Sequence, residues 1–251
     1  IGLVNNEIGT IQDVETISRM LRERECLFHS DAAQSPKTLD CRHLANLTDA
    51  LSFSGHKIGA PQGIGFLYLN AALQDSVSPL IQGGGQQNGF RSGTLPLPLC
   101  VGAGKACQIL TEIEVVERRQ AVSEIRDYFY AGLLDLKSNI VLNGPALVDR
   151  HVGNLNISFT GVDATELLMS LQPNVCASTG SACSVNTQKE SHVLKSMGFS
   201  LEQITGSLRL TVGIFNTETE INETVEILKK VIEELRAVSP FKEKYSFGSK
   251  I

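Results

Sequence analysis

The sequence contains no apolar stretch near the roughly 20 residues a helix needs to cross a bilayer. It also lacks a charged start leading into a short apolar run, so neither a membrane span nor a secretory signal enters the reading. Runs of one charge sign are missing too. The 22 Lys and Arg and 27 Asp and Glu are interspersed, for a formal net charge of −5, which presents no basic face to nucleic acid or an anionic membrane. Disulfide-framework spacing is likewise absent from the six cysteines, Cys26, Cys41, Cys100, Cys107, Cys176 and Cys183. That pattern points to a reducing compartment, the cytoplasm first, with a mitochondrial location left open. A zinc tetrad can be written from Cys26, His29, Cys41 and His43. Leu27 to Ser30, however, reads as a buried strand where paired ligands need a turn, so no metal is expected.

What is present is an ordinary globular composition: 251 residues, 42% of them hydrophobic and 20% charged, enough for one large core or two smaller ones. Val14, Ile17 and Leu21 recur at helical spacing between Gln12 and Arg24, and a short apolar run from Cys26 to His29 follows as a strand. Ala50 to Phe53 and Gly65 to Leu69 read as two further buried strands, so the class is α/β. Gly83 to Pro98 is rich in glycine and glutamine and has no period, which predicts a long loop of functional character. Val122, Ile125, Phe129, Leu133 and Leu136 mark a long helix behind the acidic stretch Glu112 to Glu117. Leu155, Ile157 and Phe159 alternate with polar residues as in a half-buried strand.

Helices at Ala164 to Leu171 and Ser191 to Met197, and strands near Val175 to Ala177 and at Leu208 to Val212, complete the middle. Thr217 and Glu220 form a capping-box pattern before the stripe Ile221, Val225, Leu228, Ile232 and Leu235, ahead of Pro240. A domain boundary is placed near residue 111, giving domains 1–111 and 112–251. The first residues, Ile1 to Gly9, read as the end of a buried strand entering a loop, and the natural N-terminus is expected upstream of Ile1.

Four positions carry candidate chemistry. Asp31 stands at a strand end, where a desolvated carboxylate calls for a cationic partner. Lys57 ends the run Ser54, Gly55, His56, Lys57, which projects a hydroxyl, an imidazole and an amine from one strand end. A lysine there suits Schiff-base chemistry when partly buried, whereas a lysine judged alone is most often a solvated surface residue. Cys183 sits in a run of small residues that can expose a thiol, against the plain alternative of a buried cysteine. Arg209, between Leu208 and Leu210, needs an anion if it is buried, and a substrate carboxylate would serve.

These runs resemble the cysteine desulfurases and selenocysteine lyases, class-V aminotransferase-like enzymes of pyridoxal phosphate (PLP) fold type I. The likeness extends almost end to end. It is carried by NNEIGTIQD at Asn5 to Asp13, HSDAAQS at His29 to Ser35, SFSGHKIGAPQGIGFLY at Ser52 to Tyr68, GGGQQNGFRSGT at Gly83 to Thr94 and STGSACS at Ser178 to Ser184. The resemblance implies the C-terminal part of a large PLP-binding domain, a mainly parallel sheet flanked by helices, followed by a smaller α+β domain with the cysteine loop.

It makes Lys57 the lysine that holds PLP, Asp31 the partner of the pyridine nitrogen, and Asn6 and Gln34 hydrogen-bond partners of the ring hydroxyl. Ser54 and His56 become phosphate ligands, and Thr94 completes the phosphate site of a neighbouring subunit, which implies a homodimer. Cys183 becomes the thiolate that takes sulfur or selenium, and Arg209, with Asn6, binds the substrate. L-cysteine is the substrate favoured by GSAC and by the spacing up to Val193 and Leu194; GGGQQNGF leans towards L-selenocysteine and a lyase. A sulfur acceptor protein, in iron–sulfur cluster or thio-cofactor supply, would follow.

Departures accompany the likeness. Family members carry a further N-terminal portion with a phosphate-binding stretch and a histidine that stacks on the PLP ring. Gly59, Ala60 and Ile214 replace residues usual in the family, and the C-terminal run PFKEKYSFGSKI differs from the tail that meets a scaffold protein. A reading of another class is therefore a non-catalytic relative, or a half-enzyme that works with a separate N-terminal piece.

Overall fold

Two strands joined through a helix can pair in parallel, because the crossover returns the chain to the same edge of the sheet. The first part of the chain does this. In the computed structural model, which describes residues 1–112, 115–134, 140–180 and 190–238, α1 (Val14–Arg22) leads to β1 (His29–Asp31), and α2 (Cys41–Leu47) leads to β2 (Ala50–Ser54). The strands are parallel, with Asp31 opposite Ser52. β3 (Gly65–Leu69) runs antiparallel to β2, and α3 (Ala71–Gln74) and α4 (Leu97–Glu112) follow. On the far side of β1 the first residues add a parallel segment: Asp31 N–H donates to the Ile1 carbonyl and Leu3 N–H to the Asp31 carbonyl, both at 2.9 Å. α1 starts where Asp13 accepts from the Thr16 amide at 3.0 Å, an N-cap whose hydrogen bond holds the carboxyl below its ordinary value.

The second part is antiparallel. α5 (Val115–Leu134), β4 (Ile140–Leu142), β5 (Asn154–Phe159), α6 (Ala164–Leu171), β6 (Ser178–Thr179), α7 (His192–Ser196), α8 (Leu201–Thr205), β7 (Ser207–Thr211) and α9 (Glu218–Val238) follow in order. Their sheet has the strand order β4-β5-β7-β6. One face of it is apolar. Leu155, Ile157 and Phe159 of β5 and Leu208 and Leu210 of β7 pack with Phe129 and Leu133 of α5, Leu167 and Leu171 of α6, and Ile221, Leu228 and Ile232 of α9. The capping box at the start of α9 forms: Thr217 N–H donates to Glu220 Oε2 at 2.9 Å, and Glu220 N–H to Thr217 Oγ1 at 3.3 Å.

The chain divides into two compact units, residues 1–5 with 11–117, and 6–10 with 118–251. The sequence boundary at 111 falls inside α4, and the sequence offered no reason to give Asn6–Thr10 to the second unit. Side chains hold them there. Asn154 Nδ2 and Asn156 Nδ2 donate to the Glu7 carbonyl at 3.0 and 3.2 Å, and His151 N–H donates to the Gly9 carbonyl at 2.9 Å. No described helix is long and apolar enough to cross a membrane.

Several elements differ from the sequence reading. β1 begins at His29, not at Cys26; Leu27 is 70% exposed, and the Phe28 amide is taken by Asp49 Oδ2 at 2.7 Å. β3 is not buried, because its outer side meets no further strand among the described residues and Leu67 is exposed. The strand expected at Val175 to Ala177 forms at Ser178–Thr179, where β7 offers partners in Leu208 and Arg209. β5 is buried on both faces. Its polar side is covered by a network instead of water: Asn143 Nδ2 donates to Asn156 Oδ1 at 2.8 Å and Ser207 Oγ at 3.1 Å, while Ser158 Oγ donates to Asn143 Oδ1 at 3.0 Å.

Arg150 belongs to the same buried region, at 2% exposure. Its Nε donates to the Pro145 carbonyl at 3.0 Å and its Nη2 to the Asn143 carbonyl at 3.0 Å, with a further Nη2 bond to Pro145. Burial, with the Arg126 charge adding to it, lowers Arg150 to about 10, so it stays charged at neutral pH and ties these carbonyls as a cation. Arg150→Met keeps the bulk and removes the donors. It is expected to cost about 2–4 kcal/mol, since buried carbonyls lose charge-assisted partners. Urea unfolding followed by circular dichroism measures this, and a midpoint equal to the parent's would contradict it.

Candidate functional site

In a parallel pair both strands end on one edge of the sheet, the edge where open α/β sheets take ligands. β1 ends at Asp31, and β2, in register with it, ends at Ser54 before a one-turn 3₁₀ helix, Gly55–Ile58, that carries His56 and Lys57. By this register Asp31, Ser54, His56 and Lys57 are brought to the same edge, with Gln34 three residues beyond β1. Ser54 Oγ and His56 Nδ1 lie 3.0 Å apart. Lys57, Gln34 and Ser54 are half-buried, while His56 and Thr94 are exposed.

Asp31 departs from expectation. Its side chain is exposed, because β1 alternates with Ser30 inward and His29 and Asp31 outward. Its Oδ1 accepts from the Ala33 amide at 2.9 Å, and His29 Nε2 lies 3.2 Å from Ser52 Oγ on the same strands. His43 Nε2, from the zinc pattern, lies 2.9 Å from Glu15 Oε1. Among the described residues no group of three or more His, Cys, Asp or Glu could hold a metal ion.

The Lys57 turn is held from behind by a helix that the sequence reading did not assign. Ala103 and Ala106 of α4 pack on Ile58 and Ala60, and a Cβ at Gly102 would come within 2.7 Å of Pro61 Cγ. Small residues on α4 therefore let the turn sit close against the helix. Gly55 is under the same constraint from the strand side: its N–H donates to the Ile64 carbonyl at 3.0 Å, and a Cβ would stand 2.7 Å from that oxygen. Gly59 closes the turn at φ +90°, where side chains are strained.

Asn6 and Arg209 belong to the second unit. Asn156 and Ser178 are the cross-strand neighbours of Arg209, so it shares the polar face of that sheet and not the apolar one suggested by its leucine neighbours. It is half-exposed, and its Nη1 donates to the Asn6 carbonyl at 2.9 Å. Cys183 lies outside the described residues. The reading also passed over Glu7, which is 4% exposed and accepts from Ser191 Oγ at 2.5 Å. A carboxylate between Asn6 and Ile8 in a buried run was its only sign.

Gly55→Ala is expected to push the Lys57 turn away from Ile64 and to cost about 1–3 kcal/mol, as overpacking against backbone does. Thermal unfolding measures the loss. A variant as stable as the parent would mean that the turn relaxes without strain.

The aminotransferase class-V family matches residues 1–223. A probable mitochondrial cysteine desulfurase of Dictyostelium discoideum is 40% identical over 98% of this chain and 54% of its own length. The cysteine desulfurase IscS of Mannheimia succiniciproducens is also 40% identical, over 98% of this chain and 60% of its own. Among solved structures, a NifS-like protein superposes with a TM-score of 0.81 at 30% identity, covering 93% of this chain and 60% of that one. A NifS-like protein of Rickettsia africae gives 0.81 at 28% identity, covering 93% and 61%. The chain thus spans between half and two thirds of the length of these relatives. With the family matched from Ile1 through nine tenths of the sequence and the fold shared with NifS-like proteins, the chain belongs to the class-V aminotransferases of PLP fold type I.

Proposed function

We propose that this chain carries the cofactor-holding and sulfur-accepting residues of a PLP-dependent cysteine desulfurase, which converts L-cysteine to L-alanine and leaves the sulfur as a persulfide on Cys183. The observation that carries the reading is the shared edge of β1 and β2, which gathers a carboxylate, a hydroxyl, an imidazole and an amine from Asp31, Ser54, His56 and Lys57. This donor set fits a group with a basic ring nitrogen, a phosphate and an aldehyde. Bound there, PLP supplies an electron-withdrawing ring that lets charge build at the substrate Cα.

The residues then divide the work. Lys57 Nζ holds the aldehyde and, once displaced by substrate, moves the α-proton. Asp31 keeps the ring nitrogen protonated, which its outward position at the strand end permits. Ser54 and His56, already within hydrogen-bond distance of each other, bind the phosphate. Thr94, exposed on its loop, contributes to the phosphate site of a neighbouring subunit in a homodimer. Asn6 and Gln34 hold the ring hydroxyl. Arg209, half-exposed on a polar sheet face, binds the substrate carboxylate with donors beyond the one given to Asn6.

Sulfur transfer balances without another redox partner. The C–S bond of cysteine breaks, an S–S bond forms to Cys183, and the substrate carbon takes up a proton to give alanine. An acceptor protein for the sulfur, in iron–sulfur cluster or thio-cofactor supply, completes the cycle. A reducing compartment suits the thiol chemistry, and among the described residues Cys26, Cys41, Cys100, Cys107 and Cys176 form no disulfide.

Purified protein mixed with PLP is expected to gain a visible absorbance band that Lys57→Ala abolishes. Cys183→Ala should keep the band but stop sulfide release from cysteine. Persistence of the band in Lys57→Ala would sink the assignment of that lysine. Selenide release from selenocysteine, without sulfide from cysteine, would replace the desulfurase with a selenocysteine lyase.

A further inference from the structure

The segment 181–189, with Cys183 in it, is entered at Gly180 and left at Glu190 and Ser191. These two approaches meet at one carboxylate. Glu7 is 4% exposed and accepts from Ser191 Oγ at 2.5 Å. Gly180 is buried against the same group: a Cβ there would lie 2.7 Å from Glu7 Oε2 and 3.8 Å from Ser191 Cβ. Only a residue without a side chain lets the backbone come so near the carboxylate. Ser191, 5% exposed, also accepts from the Leu194 amide at 3.1 Å. One hydroxyl therefore caps α7 and joins it to Glu7, while Leu194 anchors the helix at 0% exposure. Glu7 is itself fixed, because its carbonyl takes the Asn154 and Asn156 amides at 3.0 and 3.2 Å.

From this geometry we infer that Glu7 is a positioning residue, a buried carboxylate that pins both approaches to the Cys183 segment on the β5 network. The inference rests on the proposed role of Cys183 as the sulfur-accepting thiol. A thiol that must meet substrate at one point and an acceptor at another needs fixed ends to its segment, whatever path lies between them. Glu7 supplies that fixity without touching substrate. It follows Asn6, whose carbonyl takes Arg209, so two adjacent residues secure the proposed carboxylate-binding arginine and the ends of the thiol segment.

Hydrogen exchange on the intact chain tests this. Glu7→Leu removes the acceptor at similar bulk and is expected to speed exchange roughly tenfold at the Gly180 and Leu194 amides, with β5 unchanged. Glu7→Gln retains an acceptor for Ser191 Oγ and should stay within about twofold of the parent. In the same variants, iodoacetamide labelling of Cys183 relative to exposed Cys176 should shift at least about threefold in Glu7→Leu and return in Glu7→Gln, as a local anchor requires.

Equal exchange in Glu7→Leu and parent, an equal rise across β5, or a Gln variant that behaves like Leu would overturn the inference. Should Glu7→Leu fail to fold, Gly180→Ala crowds the carboxylate from the other side and should speed exchange at the same two amides. No change there would equally overturn it. Neither readout depends on sulfur release, so loss of the desulfurase reading and loss of the Glu7 role give different results.

Discussion

β5 is buried on both faces, and one of those faces is polar. Asn154, Asn156 and Ser158 have no water to turn to, and a buried amide or hydroxyl without a partner costs on the order of 1–3 kcal/mol. Each is therefore matched: to Asn143, to Ser207, and to the carbonyl of Glu7. The last of these matters beyond stability. It draws a five-residue piece from the start of the chain into the sheet of the second unit and holds Asn6 where its carbonyl meets Arg209. Apolar packing supplies most of the driving force on the other face, but it excludes only slips that turn the leucines outward and tolerates a slip by two residues. The polar face fixes which residue stands opposite which.

The first unit orders its chemistry by different means. Its residues reach a common edge because β1 and β2 are parallel, and that arrangement needs only a helix between them and small residues behind the turn. Ala103, Ala106 and Gly102 on α4 provide the second requirement. Hydrogen bonds thus organise the second unit, whereas steric permission, the absence of side-chain atoms at a few points, organises the first.

The sequence was informative where one period dominated. α6 and α9 were legible from their apolar spacing, and the Thr217–Glu220 cap from its residue types. β2 and β3 were legible as short apolar runs. The motif around Lys57 was visible as a string, but what supports it was not: Gly102 and Gly104 are poor helix formers and no apolar period marks the stretch, so α4 went unassigned although Ala103 and Ala106 favour helix. Asn154, Asn156 and Ser158 read as solvent-facing because alternation reports polarity and not exposure. Arg209 looked stranded among leucines for the same reason, since only the strand register shows that it shares a face with Asn156 and Ser178. Asp31 was expected in a dry environment and stands on an open one. Glu7 was invisible because its partner is 184 positions away.

The way the two units share the backbone has a further consequence. The chain passes between them at residues 5 and 6, again at 10 and 11, and once more at 117 and 118. A single cut after residue 117 would therefore release neither unit intact: the leading piece would keep Asn6–Thr10 without the asparagines that hold it, and the trailing piece would lose the carboxylate beneath Ser191. An exchange at that one point would pair residues 6–10 of one relative with the asparagines and Ser191 of another, so the two sides of these contacts must match.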